Sequence, residues 1–354
     1  MGKAEKKLYR RELSPQFLEV SAKKPTSVLT SLLAATEYVR AKILMPSANH
    51  LEDIAVERKD TDGQRDADAK TFSIKTDKEC EAAMETMLQI KYPNALLISE
   101  ERYGASSAEE KRLVLEEALV TKRMVILTDP LDATRDFRGG GDGFGTMVAV
   151  VKDGKLTAAV AHRSTDYADP KGLGHTLTFE AGDGVRRDGQ LLAPLSERTF
   201  PSDPVKLRGY AGFEFIEPLR RKEGTPETGF PNLSGKFDGL SDLWTCSKLY
   251  DDLLTGTHHF MLVPPPTDIF DYPAGVAMVK AAGGVVRYLD GAEATFAEIV
   301  KRQDFSNDSE KKSLHNTLVF AVSENVFETV QKTIYAAAGL NPPAKQKPTK
   351  KPGL

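Results

Sequence analysis

Cysteine is rare in this sequence, with only Cys80 and Cys246 among 354 residues. Two thiols are too few for a disulfide framework or for a zinc site of their own. The first twenty residues carry charge where a secretory signal needs an apolar stretch, and no run approaches the roughly 18 apolar residues of a membrane-spanning helix. We therefore expect a reduced, cytoplasmic protein with no membrane partner.

An excess of one charge is also missing, because 48 Lys and Arg residues stand against 51 Asp and Glu residues, for a net charge of −3. This balance gives no general attraction to nucleic acid, and we expect no nucleic-acid partner. Hydrophobic residues make up 40% of the chain, enough for a sizeable core. At roughly 150 residues per domain, the length predicts two domains or one large two-part α/β unit.

The common catalytic motifs are largely absent. The sequence has no G-x-x-x-x-G-K-[ST] loop, no G-x-S-x-G elbow, no H-E-x-x-H and no C-x-x-C. The glycine-rich stretch 139–145 does not satisfy G-x-G-x-x-G and does not follow a first βα unit. Nucleophilic serine, zinc-protease and dithiol redox chemistry therefore lose support.

Helix and strand patterns alternate along the chain. Apolar residues spaced by three or four predict a helix from Ser27 that ends at Pro46, and another from Asp77, as its N-cap, through Ile90. Apolar runs and turn residues predict strands at 95–98, 124–127, 144–151, 156–162 and 317–322, a hairpin turn at 152–155 and a last helix over 324–337. The polar stretch 58–70 is expected to be an exposed loop.

Acidic residues cluster where two of the predicted strands end. Glu100–Glu101 follows one strand, and Asp129 and Asp132 follow the next within the run DPLDAT. Ligands of α/β proteins gather at such strand ends. A bent D-P-L-D segment could aim both carboxylates and the Leu131 carbonyl at one point, and oxygen ligands of this kind suit Mg²⁺ or Mn²⁺. The alternative is that these acids are turn residues and helix caps.

Together these residues resemble the lithium-sensitive, Mg²⁺-dependent phosphatases of the inositol monophosphatase superfamily. The signature of that family is an upstream Asp, a Glu-Glu pair, D-P-[IL]-D-[SGA]-T, and W-D followed after eleven residues by G-G. In order, this sequence has Asp77, Glu100–Glu101, Asp129–Thr134, Phe270–Asp271 and, after eleven residues, Gly283–Gly284. Phe270 replaces the usual Trp, a change expected to preserve packing, and Ala133 is a less common variant.

The resemblance spans about residues 27 to 338 and implies an α/β fold, a layered αβαβα sandwich. An α+β half over 27–160 would carry most of the metal site, and an α/β half over 161–340 would complete it. The remaining 1–26 would be a flexible lead-in, and the Lys- and Pro-rich 341–354 a disordered tail. The resemblance is also compatible with a homodimer.

The resemblance further implies a role for each matching residue. Two or three Mg²⁺ ions would be bound by Glu100, Asp129, the Leu131 carbonyl, Asp132 and Asp271. Asp77 and Thr134 would orient and deprotonate the attacking water, although Asp77 also fits a helix N-cap, and the N–H groups of Ala133 and Thr134 would hold the phosphate. Mn²⁺ would substitute for Mg²⁺, whereas Li⁺ and Ca²⁺ would inhibit. Asp268 is a nearby competitor, but the eleven-residue count selects Asp271.

The part of the sequence expected to bind the leaving group departs from the family. Relatives carry Gly-Ser-x-Ala-Leu where this chain reads TCSKL at 245–249. Ser247 and Lys248 are the candidate substrate-binding residues, and Lys248 would suit a second phosphate. We expect a small-molecule phosphate ester as substrate, with an inositol phosphate first and a 3′(2′),5′-bisphosphate nucleotide such as 3′-phosphoadenosine 5′-phosphate as the alternative. A non-catalytic sensor of a phosphorylated metabolite is a second class of function.

Overall fold

The computed structural model describes residues 27–48, 56–58, 72–134, 137, 143–164, 174–216, 231–242, 245–265, 269–303 and 314–343. The predicted lead-in over 1–26 and nearly all of the predicted loop at 58–70 and of the tail lie outside these residues. The helices are α1 Val28–Val39, α2 Lys75–Lys91, α3 Glu100–Gly104, α4 Ala108–Val120, α5 Phe213–Ile216, α6 Cys246–Thr255, α7 Pro273–Ala281, α8 Phe296–Lys301 and α9 Glu324–Ala337. Of these described helices, none combines the length and the apolar character that a membrane span requires.

Two large sheets contain most of the strands. The strands are β1 Val56–Arg58, β2 Phe72–Ile74, β3 Leu96–Ser99, β4 Val125–Asp132, β5 Gly145–Lys152, β6 Lys155–Arg163, β7 Thr176–Glu180, β8 Gly184–Arg187, β9 Gln190–Leu191, β10 Arg208–Ala211, β11 Gly239–Asp242, β12 Phe260–Val263, β13 Val285–Tyr288 and β14 Leu318–Ala321. The first sheet has the order β3-β4-β5-β6-β7-β8-β9, the second β11-β10-β12-β14-β13, and β1 pairs with β2. Strand β3 is parallel to β4, and the rest of the first sheet is antiparallel.

Alternation along β5 explains the layers. Val148 and Val150 face α1 and α2, whereas Met147 and Ala149 face the opposite side, where α6 and α7 pack. Because side chains of a strand alternate between its two faces, one strand fills both cores. Helix α7 also packs on the second sheet, and α9 covers the far side of that sheet. The order is thus helices, sheet, helices, sheet, helix, which confirms the predicted αβαβα sandwich.

Most local predictions are confirmed, with small shifts at the element ends. The hairpin between β5 and β6 turns through Asp153 and Gly154, both at positive φ, as a two-residue hairpin turn requires. The first helix continues past Pro46 to Ala48, because a π-helical turn over Arg40–Leu44 precedes the proline. In a regular α-helix the ring of a proline clashes with the carbonyl four residues earlier. The wider π-helical turn alters the backbone at that position.

The first sheet extends further along the chain than the expected first half. It continues through β9 to Leu191, so a division at residue 160 falls inside strand β6. The larger hydrophobic core also joins side chains of both sheets, among them Ala159 and Phe320. The two sheets therefore share one packed interior through α6 and α7.

Candidate active site

The DPLD segment forms a turn at the end of a buried strand. Strand β4 runs to Asp132, five residues beyond the predicted end, and all eight of its residues are buried. Its pairing with β5 is irregular between Asp129 and Asp132, where Pro130 cannot donate to the ladder. The Leu131 N–H donates to Asp129 Oδ1 at 3.1 Å, and Thr146 Oγ1 of β5 donates to the Pro130 carbonyl at 2.9 Å. These bonds fix the bent conformation that the sequence predicts.

Ala133 reverses the chain immediately after this turn. Its φ is +65°, in the left-handed region that residues with a Cβ rarely adopt. Thr134 then begins a helical turn, in which the Phe137 N–H donates to the Ala133 carbonyl at 3.0 Å. The first N–H groups of a helix have no intrahelical acceptor.

Asp77 and Thr134 are brought together from distant parts of the chain. Thr134 Oγ1 donates to Asp77 Oδ1 at 3.1 Å and lies 3.3 Å from the Leu131 carbonyl oxygen. Asp77 is buried, at 4% exposure. The predicted N-cap role of Asp77 is wrong, because α2 begins at Lys75, directly after β2 ends at Ile74. Asp77 instead lies in the first turn, where the helix dipole stabilises a carboxylate.

Four carboxylates converge on the end of β4. Burial raises the pKa of Asp129 well above its usual range, and the charges of Glu100, Asp132 and Asp271 raise it further. Asp129 and Glu100 also share a side-chain hydrogen bond. Glu100 is the first residue of α3, and Asp271 precedes α7. The structure therefore brings together, around Asp129, the acidic side chains that the resemblance assigns to metal binding.

Asp132 is held by the N-terminus of α6. Its Oδ2 accepts from Thr245 Oγ1 at 2.7 Å and from the Ser247 N–H at 2.9 Å, and its Oδ1 accepts from the Cys246 N–H at 3.3 Å. Burial raises the pKa of Asp132, and these hydrogen bonds oppose that rise. Thr245 is not among the site residues predicted from the sequence. A Thr directly before a helix is an N-cap signal, but this hydroxyl is used for Asp132 instead.

The two candidate substrate residues have different surroundings. Ser247 is buried, and its Oγ lies 3.0 Å from Thr245 Oγ1, within the Asp132 network. The Lys248 ammonium lies 2.5 Å from Asp252 and donates to the Tyr210 hydroxyl at 3.0 Å. Its charge is therefore balanced by a carboxylate on the same helix, on the side that faces β10. Lys248 is half-buried there.

The segment around Asp271 is supported by buried aromatic rings. The Tyr250 hydroxyl donates to the Asp271 carbonyl at 2.7 Å, and its ring lies directly against Gly275, where a Cβ would come within 2.0 Å of the ring. Phe270 is buried and meets the Tyr103 ring edge-on, with the ring centroids 5.8 Å apart. Phenylalanine thus fills the position of the usual Trp, and it connects the Asp271 segment with α3.

Gly283, Gly284 and His162 have contacts that point to structural roles. Gly283 and Gly284 end α7 in a Schellman motif, with their N–H groups donating to Lys280 and Val279. His162 hydrogen-bonds Thr176 at 2.6 Å, and burial lowers its pKa to about 4. Asp268 lies outside the described residues.

The donor set suits a hard divalent cation. In the part of the chain that the structure describes, no three His, Cys, Asp or Glu side chains already form a coordination sphere. The predicted ligands are nevertheless all oxygens, which Mg²⁺ prefers. The crowding that raises the pKa of Asp129 is a clustering of negative charge, which a cation would relieve. The residues therefore fit Mg²⁺.

The fold and the acidic site together define a metal-dependent phosphatase. The model of the inositol monophosphatase family matches residues 27–326 of this chain. The chain belongs to the inositol monophosphatase family and is a phosphoric monoester hydrolase. No curated protein sequence matches the chain.

Solved structures show the same fold at low sequence identity. The extragenic suppressor protein SuhB from Bartonella henselae is 16% identical, with a TM-score of 0.61 over 87% of this chain and 98% of the other. An IMPase from Thermotoga maritima is 17% identical, with a TM-score of 0.59 over 87% and 98%. SaIMPase-II, solved with inositol monophosphate bound, is 14% identical, with a TM-score of 0.59 over 87% and 94%.

Proposed function

We propose that this chain is a Mg²⁺-dependent phosphomonoesterase whose substrate is an inositol phosphate. The observation that carries the proposal is the hydrogen bond from Thr134 to Asp77 beside the Leu131 carbonyl. It joins a buried acid of α2 to the turn that holds Asp129 and Asp132. A proton acceptor thus lies next to the proposed metal ligands, as hydrolysis by an activated water requires.

The residues proposed to hold Mg²⁺ are Glu100, Asp129, the Leu131 carbonyl, Asp132 and Asp271. When bound, Mg²⁺ would neutralise the phosphate charge and lower the pKa of water. Thr134 donates its own proton to Asp77, so the lone pairs of its oxygen are free to accept a hydrogen bond from the attacking water. As the water attacks, its proton would pass to the Thr134 oxygen while the Thr134 hydroxyl proton passes to Asp77, which ends the step protonated. Since water is the nucleophile, we expect no phosphoenzyme.

The helical turn at Thr134 supplies the proposed phosphate contacts. Because Ala133 reverses the chain and Thr134 starts the turn, their N–H groups lie at a helix N-terminus, where anions are favoured. The same residue would therefore orient the water through its hydroxyl and bind the phosphate through its backbone.

Three observations support an inositol phosphate. The family is named for inositol monophosphatase, and SaIMPase-II has been solved with inositol monophosphate bound. The Lys248 charge is already paired with Asp252, so a second phosphate would have to compete with that carboxylate. A nucleotide phosphate is the second candidate, because SaIMPase-II has also been solved with 2′AMP bound.

Phosphate release tests the proposal most directly. Inositol 1-phosphate and 3′-phosphoadenosine 5′-phosphate are offered side by side with Mg²⁺, and again with a chelator. We expect faster, chelator-sensitive release from inositol 1-phosphate. Preference for the nucleotide would overturn the substrate assignment and leave the mechanism, whereas binding without release from any phosphate ester would support a sensor.

A further inference from the structure

The short helix that begins with Glu100 is held by an acid from another helix. Glu81 Oε2 accepts from the Glu101 N–H at 2.7 Å, and Glu81 Oε1 accepts from the Arg102 N–H at 3.0 Å. These are the second and third N–H groups of α3, which have no acceptor within the helix. Glu81 therefore does for α3 what an N-cap side chain normally does.

The local N-cap of α3 does not perform this task. Ser99 occupies the position but makes no side-chain bond to the helix. Its hydroxyl instead donates to Glu85 Oε1 at 2.9 Å. Helix α3 has only five residues, and a helix of that length does not form stably by itself in water. Tertiary contacts therefore hold α3 in place, and the two bonds to Glu81 are the ones made at its N-terminal backbone, next to Glu100.

Glu81 occupies an unfavourable environment for a carboxylate. It is 7% exposed and lies near Glu85 and Glu101. Burial and these like charges raise its pKa to about 7. A buried acid among acids costs stability, so its two well-formed bonds to α3 are its evident contribution. Glu81 also lies one helical turn after Asp77 on α2, and both side chains are therefore on the same face.

We propose that Glu81 is a positioning residue that holds the start of α3 and thereby fixes Glu100 relative to Asp77. Helix α2 then positions the proton acceptor, Asp77, directly. It also positions a metal ligand, Glu100, through Glu81, which lies four residues after Asp77. The inference rests on the proposed function, since it takes Glu100 as a metal ligand.

Metal binding without substrate tests the inference. Mn²⁺ is titrated into the full-length protein and free Mn²⁺ is followed by electron paramagnetic resonance, for the wild type and for Glu81→Gln. Glutamine keeps the shape but offers one acceptor oxygen instead of two, so one N–H of α3 loses its partner. We expect about tenfold weaker Mn²⁺ binding and faster hydrogen exchange at residues 101 and 102. At saturating Mg²⁺, kcat should stay within about threefold of the wild type, since Asp77 and Thr134 are unchanged.

Glu85→Gln is the matched control. Glu85 lies on the next turn of α2 and meets the Ser99 hydroxyl and the Arg102 guanidinium, at 3.7 Å, through its side chain. Because Glu85 contacts side chains and no N–H group of α3, Glu85→Gln should weaken Mn²⁺ binding clearly less than Glu81→Gln does. If Glu81→Gln unfolds, Glu81→Asp keeps the charge with a shorter reach and should bind Mn²⁺ more weakly than the wild type and than Glu85→Gln.

Three outcomes would overturn the inference. Equal Mn²⁺ affinity in the wild type and Glu81→Gln, even with a lower melting temperature, would make Glu81 merely structural. An equal loss in Glu85→Gln would show a general effect of charge removal. A wild type that binds no Mn²⁺ would defeat the proposed function first, and this inference with it.

Discussion

The hydroxyl of Thr134 donates a hydrogen bond to the carboxylate of Asp77, 3.1 Å away and 57 positions earlier in the chain. The same hydroxyl lies 3.3 Å from the Leu131 carbonyl, so it stands between a proton acceptor and the proposed metal site. In the proposed mechanism the Thr134 hydroxyl orients a water molecule and Asp77 is the final acceptor of the proton.

Replacing Thr134 should therefore stop turnover without removing the metal site. For Thr134→Val, which keeps the shape and deletes the hydroxyl, we expect kcat to fall by about 10²- to 10⁴-fold, the range for general base catalysis. Thr134→Ser retains the hydroxyl, and its kcat should stay within about tenfold of the wild-type value. Steady-state kinetics on inositol 1-phosphate at saturating Mg²⁺ measures both, and a valine variant with half of the wild-type kcat would refute the role.

Asp129 makes the metal-free protein sensitive to pH. The folded state raises the pKa of Asp129 far above the value of about 3.9 for an unfolded Asp. Above about pH 4 the folded state therefore binds more protons than the unfolded state, and the free energy of unfolding falls as the pH rises towards the folded pKa. Thermal unfolding in chelator should show lower stability at pH 8 than at pH 5, and Mg²⁺ should restore more stability at pH 8.

Asp129→Asn should reduce this pH dependence and leave the part that the raised pKa values of Asp132 and Glu81 contribute. Asn keeps the oxygen that accepts from the Leu131 N–H, and its NH₂ can donate to Glu100. In chelator at pH 8 we expect the variant to melt about 1 °C or more above the wild type, corresponding to roughly 1 kcal/mol for a chain of 354 residues, with activity lost. Glu197→Gln, at an exposed acid, serves as the control, and its melting temperature should differ little from that of the wild type. A variant less stable than the wild type in chelator would contradict the argument.

Local chemistry made part of this site predictable. DPLDAT carries its own turn signals, and the hairpin at Asp153–Gly154 needs no distant partner. The hold of Thr245 on Asp132 joins residues 113 positions apart, and the bonds from α3 to Glu81 depend on how two helices pack. Neither contact has a periodic or motif signal. Likewise, the short strands after residue 161 gave no indication that they extend the first sheet.

The left-handed backbone of Ala133 offers a test of strain. A residue with a Cβ pays about 1–2 kcal/mol for φ of +65°, whereas Gly avoids this cost but loses roughly 0.5–1 kcal/mol in backbone entropy. The free energy of unfolding of Ala133→Gly in urea should therefore equal that of the wild type or exceed it by up to about 1.5 kcal/mol, with activity kept. Ala133→Val should be less stable by about 1 kcal/mol or more, because its branched Cβ fits this region worse. A glycine variant clearly less stable than the wild type would exclude strain at this position.

Lys248 distinguishes the two substrates. Its ammonium lies 2.5 Å from Asp252, and a partly exposed pair of this kind contributes little by itself. We expect Lys248→Met to change kcat/KM for inositol 1-phosphate by less than about fivefold. If Lys248 instead bound a second phosphate, kcat/KM for 3′-phosphoadenosine 5′-phosphate alone would fall by about ten- to hundredfold, the effect of a lost bond to a charged group. Lys280→Met is the control, because the Lys280 ammonium lies 3.0 Å from the carboxylate of Glu293, which is not one of the proposed site residues. A selective loss with the nucleotide would therefore reverse the assignment.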